Sequence, residues 1–175
     1  LYNLIEGRYI KETTKMSEKL RAVIAYLIDV KKVRNMTPKK LQKMLYYCYA
    51  WHLALTAENA EISEIENSKL FNESFEAWVH GPVIKKVYDK YKNFRNKEID
   101  SSGFEFDSKV LTGDELGTID EVIEVYGEFN GNELESISHA EDPWIEAREG
   151  KRALDICTNK LSDVTIFKYY VSRLD

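Results

Sequence analysis

Between Leu41 and Leu55 the chain places apolar side chains on almost every side of a helix: Leu41, Met44, Leu45, Tyr46, Tyr47, Cys48, Tyr49, Trp51, Leu53 and Leu55. A helix lying on a surface needs one apolar stripe, whereas a helix apolar on several faces has to be enclosed on several sides. The segment therefore predicts a central rod over residues 38–57, around which the rest of the chain wraps. Its start is marked by Thr37-Pro38. Thr supplies an N-cap oxygen, and Pro at the first helical position loses only an N–H that would have had no partner.

The flanking segments read as amphipathic helices that cover this rod. Ser17 caps a helix to about Lys32, with Leu20, Val23, Ile24, Leu27 and Ile28 at three- and four-residue steps. Residues 82–92 place Val83, Ile84, Val87, Tyr88 and Tyr91 on one face and lysines on the other, with Pro82 at the start. Thr112 and Glu115 form a capping-box pattern that opens a helix to about residue 127. Asn130-Gly131-Asn132 breaks it, helical turns follow at Glu133–Ser138 and from Asp142-Pro143, and a last helix spans about 163–174. Leu70-Phe71, Phe75–Trp78 and the alternating Phe104 and Phe106 suggest short extended pieces. The pattern predicts a mainly α fold, a single-domain helical bundle around a central buried helix with a small β element.

Length and composition narrow the function classes. A chain of 175 residues fits one core, and no linker divides it. The net charge of −5 opposes general attraction to nucleic acid, whose phosphates dominate affinity. Two cysteines in no metal-ligand spacing fit a reducing, cytoplasmic setting, and no apolar run is long enough for a membrane span. Residues 1–15 are expected to be tag or upstream read-through, because Met16-Ser17 reads as a start and Ile5-Glu6-Gly7-Arg8 matches a protease site used in fusion proteins. Residues 16–175 then form the single domain.

Few residues suggest chemistry. His52, His80 and His139, with Glu141 and Asp142 nearby, lack the close ligand pairs of helical metal sites and read better as residues that orient loops or meet a partner. Cys48 sits in the most apolar helix, where a thiol packs as a small hydrophobe and not as a nucleophile. No glycine-rich phosphate loop is visible, and the carboxylates of Glu133–Glu149 read as a solvated helix face. Two basic clusters, Lys31 to Lys43 and Lys85 to Arg95, read as solvated faces, as a weak nucleic-acid stripe, or as steering charges for an acidic partner. Trp51 reads as core; Trp78 and Trp144 stand beside turns, where core packing and a binding hot spot both remain open.

Four segments in fixed order carry a family resemblance. They are Leu41–Tyr47 with Ala50-Trp51-His52; Phe75–Val83, which contains His80-Gly81-Pro82; Val125-Tyr126-Gly127; and Ser138–Trp144 with Ala147-Arg148. Together they resemble the Panacea-domain antitoxins, the SocA-like and phage-associated GepA-like proteins. The resemblance implies a protein that binds and neutralises a cognate toxin, encoded beside it, with no catalysis and no cofactor. Its partner-binding residues are expected at Trp78, His80, Gly81, Pro82, His139, Glu141, Asp142, Trp144 and Arg148, with the two segments close together in space. Alternatives are an adaptor that presents its partner to a protease and a small DNA-binding regulator. A homo-oligomer is compatible with either; nucleic acid, metal and membrane are not expected partners.

Overall fold

In the computed structural model, which describes residues 15–174, the expected rod is the helix Pro38–Thr56. Helices are numbered in chain order: α1 Glu18–Ala25, α2 Pro38–Thr56, α3 Ile62–Asn67, α4 Lys85–Tyr91, α5 Gly113–Tyr126, α6 Gly131–His139, α7 Asp142–Ala147 and α8 Asp163–Val171. Strands β1 Glu76–Trp78 and β2 Gly81–Val83 lie between α3 and α4. The expectation for residues 1–15 falls, Lys15 apart, outside the described residues.

Every residue from Lys40 to Ala50 is buried, and α1, α4, α5, α6, α8 and β2 all pack on α2. Burial of each large apolar side chain contributes about 1.5–3 kcal/mol, so this one helix organises most of the favourable area. Aromatic rings give the packing its geometry. Tyr47 stacks on Tyr126 of α5 at 4.1 Å and 8°, while Tyr46 meets Phe75 edge-on at 5.4 Å. Thr37 caps α2 through the Lys40 N–H, and the Thr112–Glu115 capping box opens α5 as its spacing predicts. Among the described residues no helix is long and apolar enough to cross a membrane.

The structure departs from the sequence reading at several places, each with a local cause. Pro82 does not open a helix; it lies in β2, and α4 begins only at Lys85. Gln42 of α2 is the reason: its side chain accepts from the Ile84 N–H at 2.9 Å and donates to the Ile84 carbonyl at 3.1 Å, which holds that residue extended. Asn130 does not itself end α5, which stops at Tyr126 with Gly127 as its C-cap; it caps α6 in a second capping box with Glu133. After Ala25, α1 loosens into a π turn over Tyr26–Val30. There Asp29 accepts from the backbone N–H of Ser102 at 3.1 Å and from its hydroxyl, fastening the long loop before α5. Leu70 and Phe71 form no strand and are buried, and Phe104 and Phe106 pack on the core from a loop.

The small sheet is an antiparallel hairpin that pairs Glu76 with Val83, Ala77 with Pro82 and Trp78 with Gly81. Its outer edge is closed by residues 159–161. Ala77 N–H donates to the Asn159 carbonyl at 2.8 Å, and Leu161 N–H donates to the Phe75 carbonyl at 2.9 Å. An edge covered in this way cannot recruit another strand.

Candidate functional site

The hairpin turn is built around Gly81, whose φ of +97° is costly for any residue with a Cβ. Space forbids a side chain as well. A Cβ there would stand 2.7 Å from Lys43 Cε and 2.9 Å from Ser138 Oγ. Lys43 itself rises from α2, is 1% exposed, and donates from Nζ to the Pro82 carbonyl at 3.0 Å. Burial lowers its ammonium pKa to about 7; the nearby Glu135 carboxylate opposes this and Lys39 adds to it. Gly81→Val is therefore expected to lower stability by about 2–3 kcal/mol, measurable as a shifted urea midpoint, and an unchanged midpoint would refute the close packing of this turn.

The segment Ser138–Trp144 with Arg148 closes on the hairpin segment Phe75–Val83 from α6 and α7. The His139 ring stacks on Trp144 at 4.0 Å and 17°, and Trp144 Nε1 donates to the Trp78 carbonyl at 2.9 Å. Arg148, 2% exposed, lies over the Trp144 ring at 4.8 Å. Its guanidinium donates to the carbonyls of Ala77 at 2.9 Å, Arg152 at 2.8 Å and Asp155 at 2.7 Å. Around the turn, Glu135 accepts from Lys39 Nζ at 2.6 Å and sits 2.8 Å from His80 Nδ1. Burial alone would raise the Glu135 pKa, but the hydrogen bonds from Lys39 and His80 win and hold it below the usual carboxylate range. Burial lowers the pKa of His139, against the attraction of Glu135.

The structure thus brings the two segments together, and divides their residues by exposure. His80 and Asp142 face solvent, Trp78 and His139 are half-buried, and Gly81, Pro82, Glu141, Trp144 and Arg148 are buried. Trp78 packs edge-on against the exposed Tyr88 at 5.0 Å. Glu141 points into the core, accepting from Tyr170 OH at 2.6 Å and Tyr47 OH at 3.2 Å. Burial raises its pKa, and the two phenol bonds partly offset that. Asp142 does not cap α7; it is the first helical residue, Glu141 takes the cap position, and no side chain caps there. Its neighbour's carboxylate is committed to the two tyrosines. His52 takes no part in this junction, being buried beside Thr118 and Thr56. Cys48 is fully buried and its thiol pKa is pushed up, as its apolar helix implied.

Two residues of the expected basic surface cluster are not on the surface. Lys40 and Lys43 are each 1% exposed. Lys40 Nζ donates to the carbonyls of Arg34 at 2.7 Å and Gly127 at 2.5 Å, and burial lowers its pKa. A helix enclosed on all sides leaves its lysines no route to water, so they fasten loops by their carbonyls. The available signal was their position inside the apolar run beside Leu41 and Met44.

The sequence also gave no warning of the loop that Arg148 holds. Leu154 and Ile156 are 84% and 86% exposed on it, and Ile145 of α7 is 49% exposed. Asp155 accepts from the Arg152 N–H at 3.0 Å, and Asn159 Nδ2 donates to the Ala147 carbonyl at 3.0 Å, so the loop is fixed at both ends. A depression of about 260 Å³ between this loop and Trp144, and a cleft of about 700 Å³ between α7 and α8, flank α7 on either side. Among the described residues no group of His, Cys, Asp and Glu has an arrangement that could hold a metal. What the junction offers is apolar and hydrogen-bonding surface on a braced scaffold.

The profile of the family described as Antitoxin SocA-like, Panacea domain matches residues 41–145, more than half of the chain. The match runs from the rod through the hairpin turn to Trp144 and stops short of the exposed loop. No curated protein and no solved structure matches the chain. The protein belongs to the SocA-like Panacea-domain antitoxin family.

Proposed function

We propose that the protein neutralises a cognate protein toxin by binding it, with no chemical step and no cofactor. The contact face in this reading consists of Trp78, His80 and Asp142 together with Ile145, Leu154 and Ile156. The buried Gly81, Pro82, Glu141, Trp144 and Arg148 act on the toxin only through the residues they position, with His139 between the two groups. The observation that carries the reading is the pair Leu154 and Ile156, more than four-fifths exposed on a loop pinned by the buried Arg148. Large aliphatic side chains held rigidly in water suit a surface completed by a partner. Little ordering entropy remains to be lost when it binds.

The test is co-expression with the product of the neighbouring reading frame in a host that this product poisons. Restored growth, an undiminished toxin level and a complex of fixed stoichiometry are expected. Restored growth with disappearance of the toxin in a protease-dependent manner would assign the adaptor role instead. Rescue by substoichiometric amounts of purified protein with turnover would contradict binding without chemistry.

A further inference from the structure

A second surface, sharing no residue with the junction face, lies where α5 crosses the end of α2. There Trp51, Leu55, Val122, Val125, Tyr126 and Leu174 line a groove of about 200 Å³. Its apolar walls are unusually open: Leu55 is 50%, Val125 62% and Leu174 45% exposed. The volume is below the roughly 300–1,000 Å³ of small-molecule sites, so the groove suits side chains presented by a protein segment. Helix α5 buries Ile119, Val122 and the inner faces of Ile123 and Tyr126, and leaves Val125 outside with Glu121 and Glu124 beside it.

Charge states what kind of segment fits. From Thr112 to Ala147 the chain has acidic residues throughout and no lysine or arginine. Several of these acids are answered from elsewhere: Glu115 by Lys19, Asp120 by Lys31 and Glu135 by Lys39. Among the described residues no lysine or arginine lies within ion-pairing distance of Glu121 or Glu124, and Arg173, next to Leu174, stacks on Tyr169 at 3.5 Å. The α5 side of the groove is therefore acidic, with Glu121 in its lining and Glu124 beside Val125, while Arg173 stands near Tyr126 at the other side; along α5 a basic segment is favoured over an acidic one.

We infer that this groove docks a lysine- or arginine-rich amphipathic segment of the protein partner, its apolar residues between Leu55 and Val125 and its cations against Glu121 and Glu124. The inference rests on the reading that the protein acts by binding a protein, and deepens it by naming a second contact and its chemistry. Leu174 apart, the residues that line the groove fall within the matched residues 41–145, and the exposed loop falls outside them.

The full-length protein is titrated calorimetrically with a peptide carrying leucines at helical spacing and lysines elsewhere. Controls are the same peptide with alanine for leucine and with glutamate for lysine. Binding of the first alone is expected, weaker in added salt. Val125→Arg, and separately Glu121→Lys with Glu124→Lys, should weaken it about tenfold or more with an unchanged melting temperature. These positions are exposed, so the fold is not at stake; two independent variants guard against a chance effect. No binding, equal binding by Val125→Arg, or equal binding of the leucine-free peptide would overturn the inference. Self-association of the wild type that Val125→Arg abolishes would assign the groove to a second copy and overturn the occupant. Toxin rescue that survives both groove variants while peptide binding is lost would leave neutralisation standing and remove the partner contact from the groove.

Discussion

Replacing Arg148 by leucine is expected to destabilise the fold by about 3–5 kcal/mol, because the buried Ala77 carbonyl and two part-buried loop carbonyls lose a charged donor. The acceptors belong to two different places: Ala77 on β1, and Arg152 and Asp155 on the exposed loop. One side chain thus ties the hairpin, α7 and the loop together, with Trp144 stacked on it. The loop should suffer more than the rod. Trypsin cleavage after Lys151 or Arg152, slow in the wild type, should become fast in the variant, while α2 and α5 keep their helicity. A melting curve displaced by less than about 1 kcal/mol would show that the guanidinium is dispensable.

The second large effect is a pH dependence set by Lys43. Folding lowers its pKa from 10.5 to about 7, since the ammonium is buried with one carbonyl partner. Below about pH 7 the lysine is charged in both states and its burial cost is fully present. Between about 7 and 10.5 the unfolded lysine keeps its proton while the folded one releases it, so the unfolded state binds more protons. Stability from this residue therefore rises with pH across that window, by up to about 1.4 kcal/mol per pH unit. Other groups titrate there too, so the measurement is the difference between wild type and Lys43→Met in chemical denaturation from neutral to alkaline pH. The wild-type curve is expected to gain on the variant as pH rises; parallel curves would contradict a buried, titrating lysine.

The contrast between what could and could not be read from the sequence follows from the range of the interactions. The rod, the capping box at Thr112 and Glu115, and the caps at Ser17 and Thr37 rest on residues within one or two turns of each other, and they were legible. The start of α4 was not, because it depends on Gln42, forty-two residues away, holding Ile84 extended. Lys40 and Lys43 were misassigned to a solvated face for a related reason: charge alone cannot say that the whole circumference of a helix is enclosed. The meeting of the His80-Gly81-Pro82 turn with the Trp144 segment was anticipated from the motifs. What the motifs lacked was the division between exposed and buried members, which depends on Tyr47 and Tyr170 drawing Glu141 inward. The loop bearing Leu154 and Ile156 had no periodicity to betray it, since its shape comes from the Arg148 guanidinium.

Whether the junction face and its exposed loop bind the toxin is decided by the affinity of the purified toxin for the double variant Leu154→Asp with Ile156→Asp. Both side chains are almost wholly in solvent, so the melting temperature should not move. The affinity should fall by about 2 kcal/mol or more, roughly thirtyfold, as for hot-spot side chains. Full affinity in a normally folded double variant would contradict the account and place the toxin on another surface.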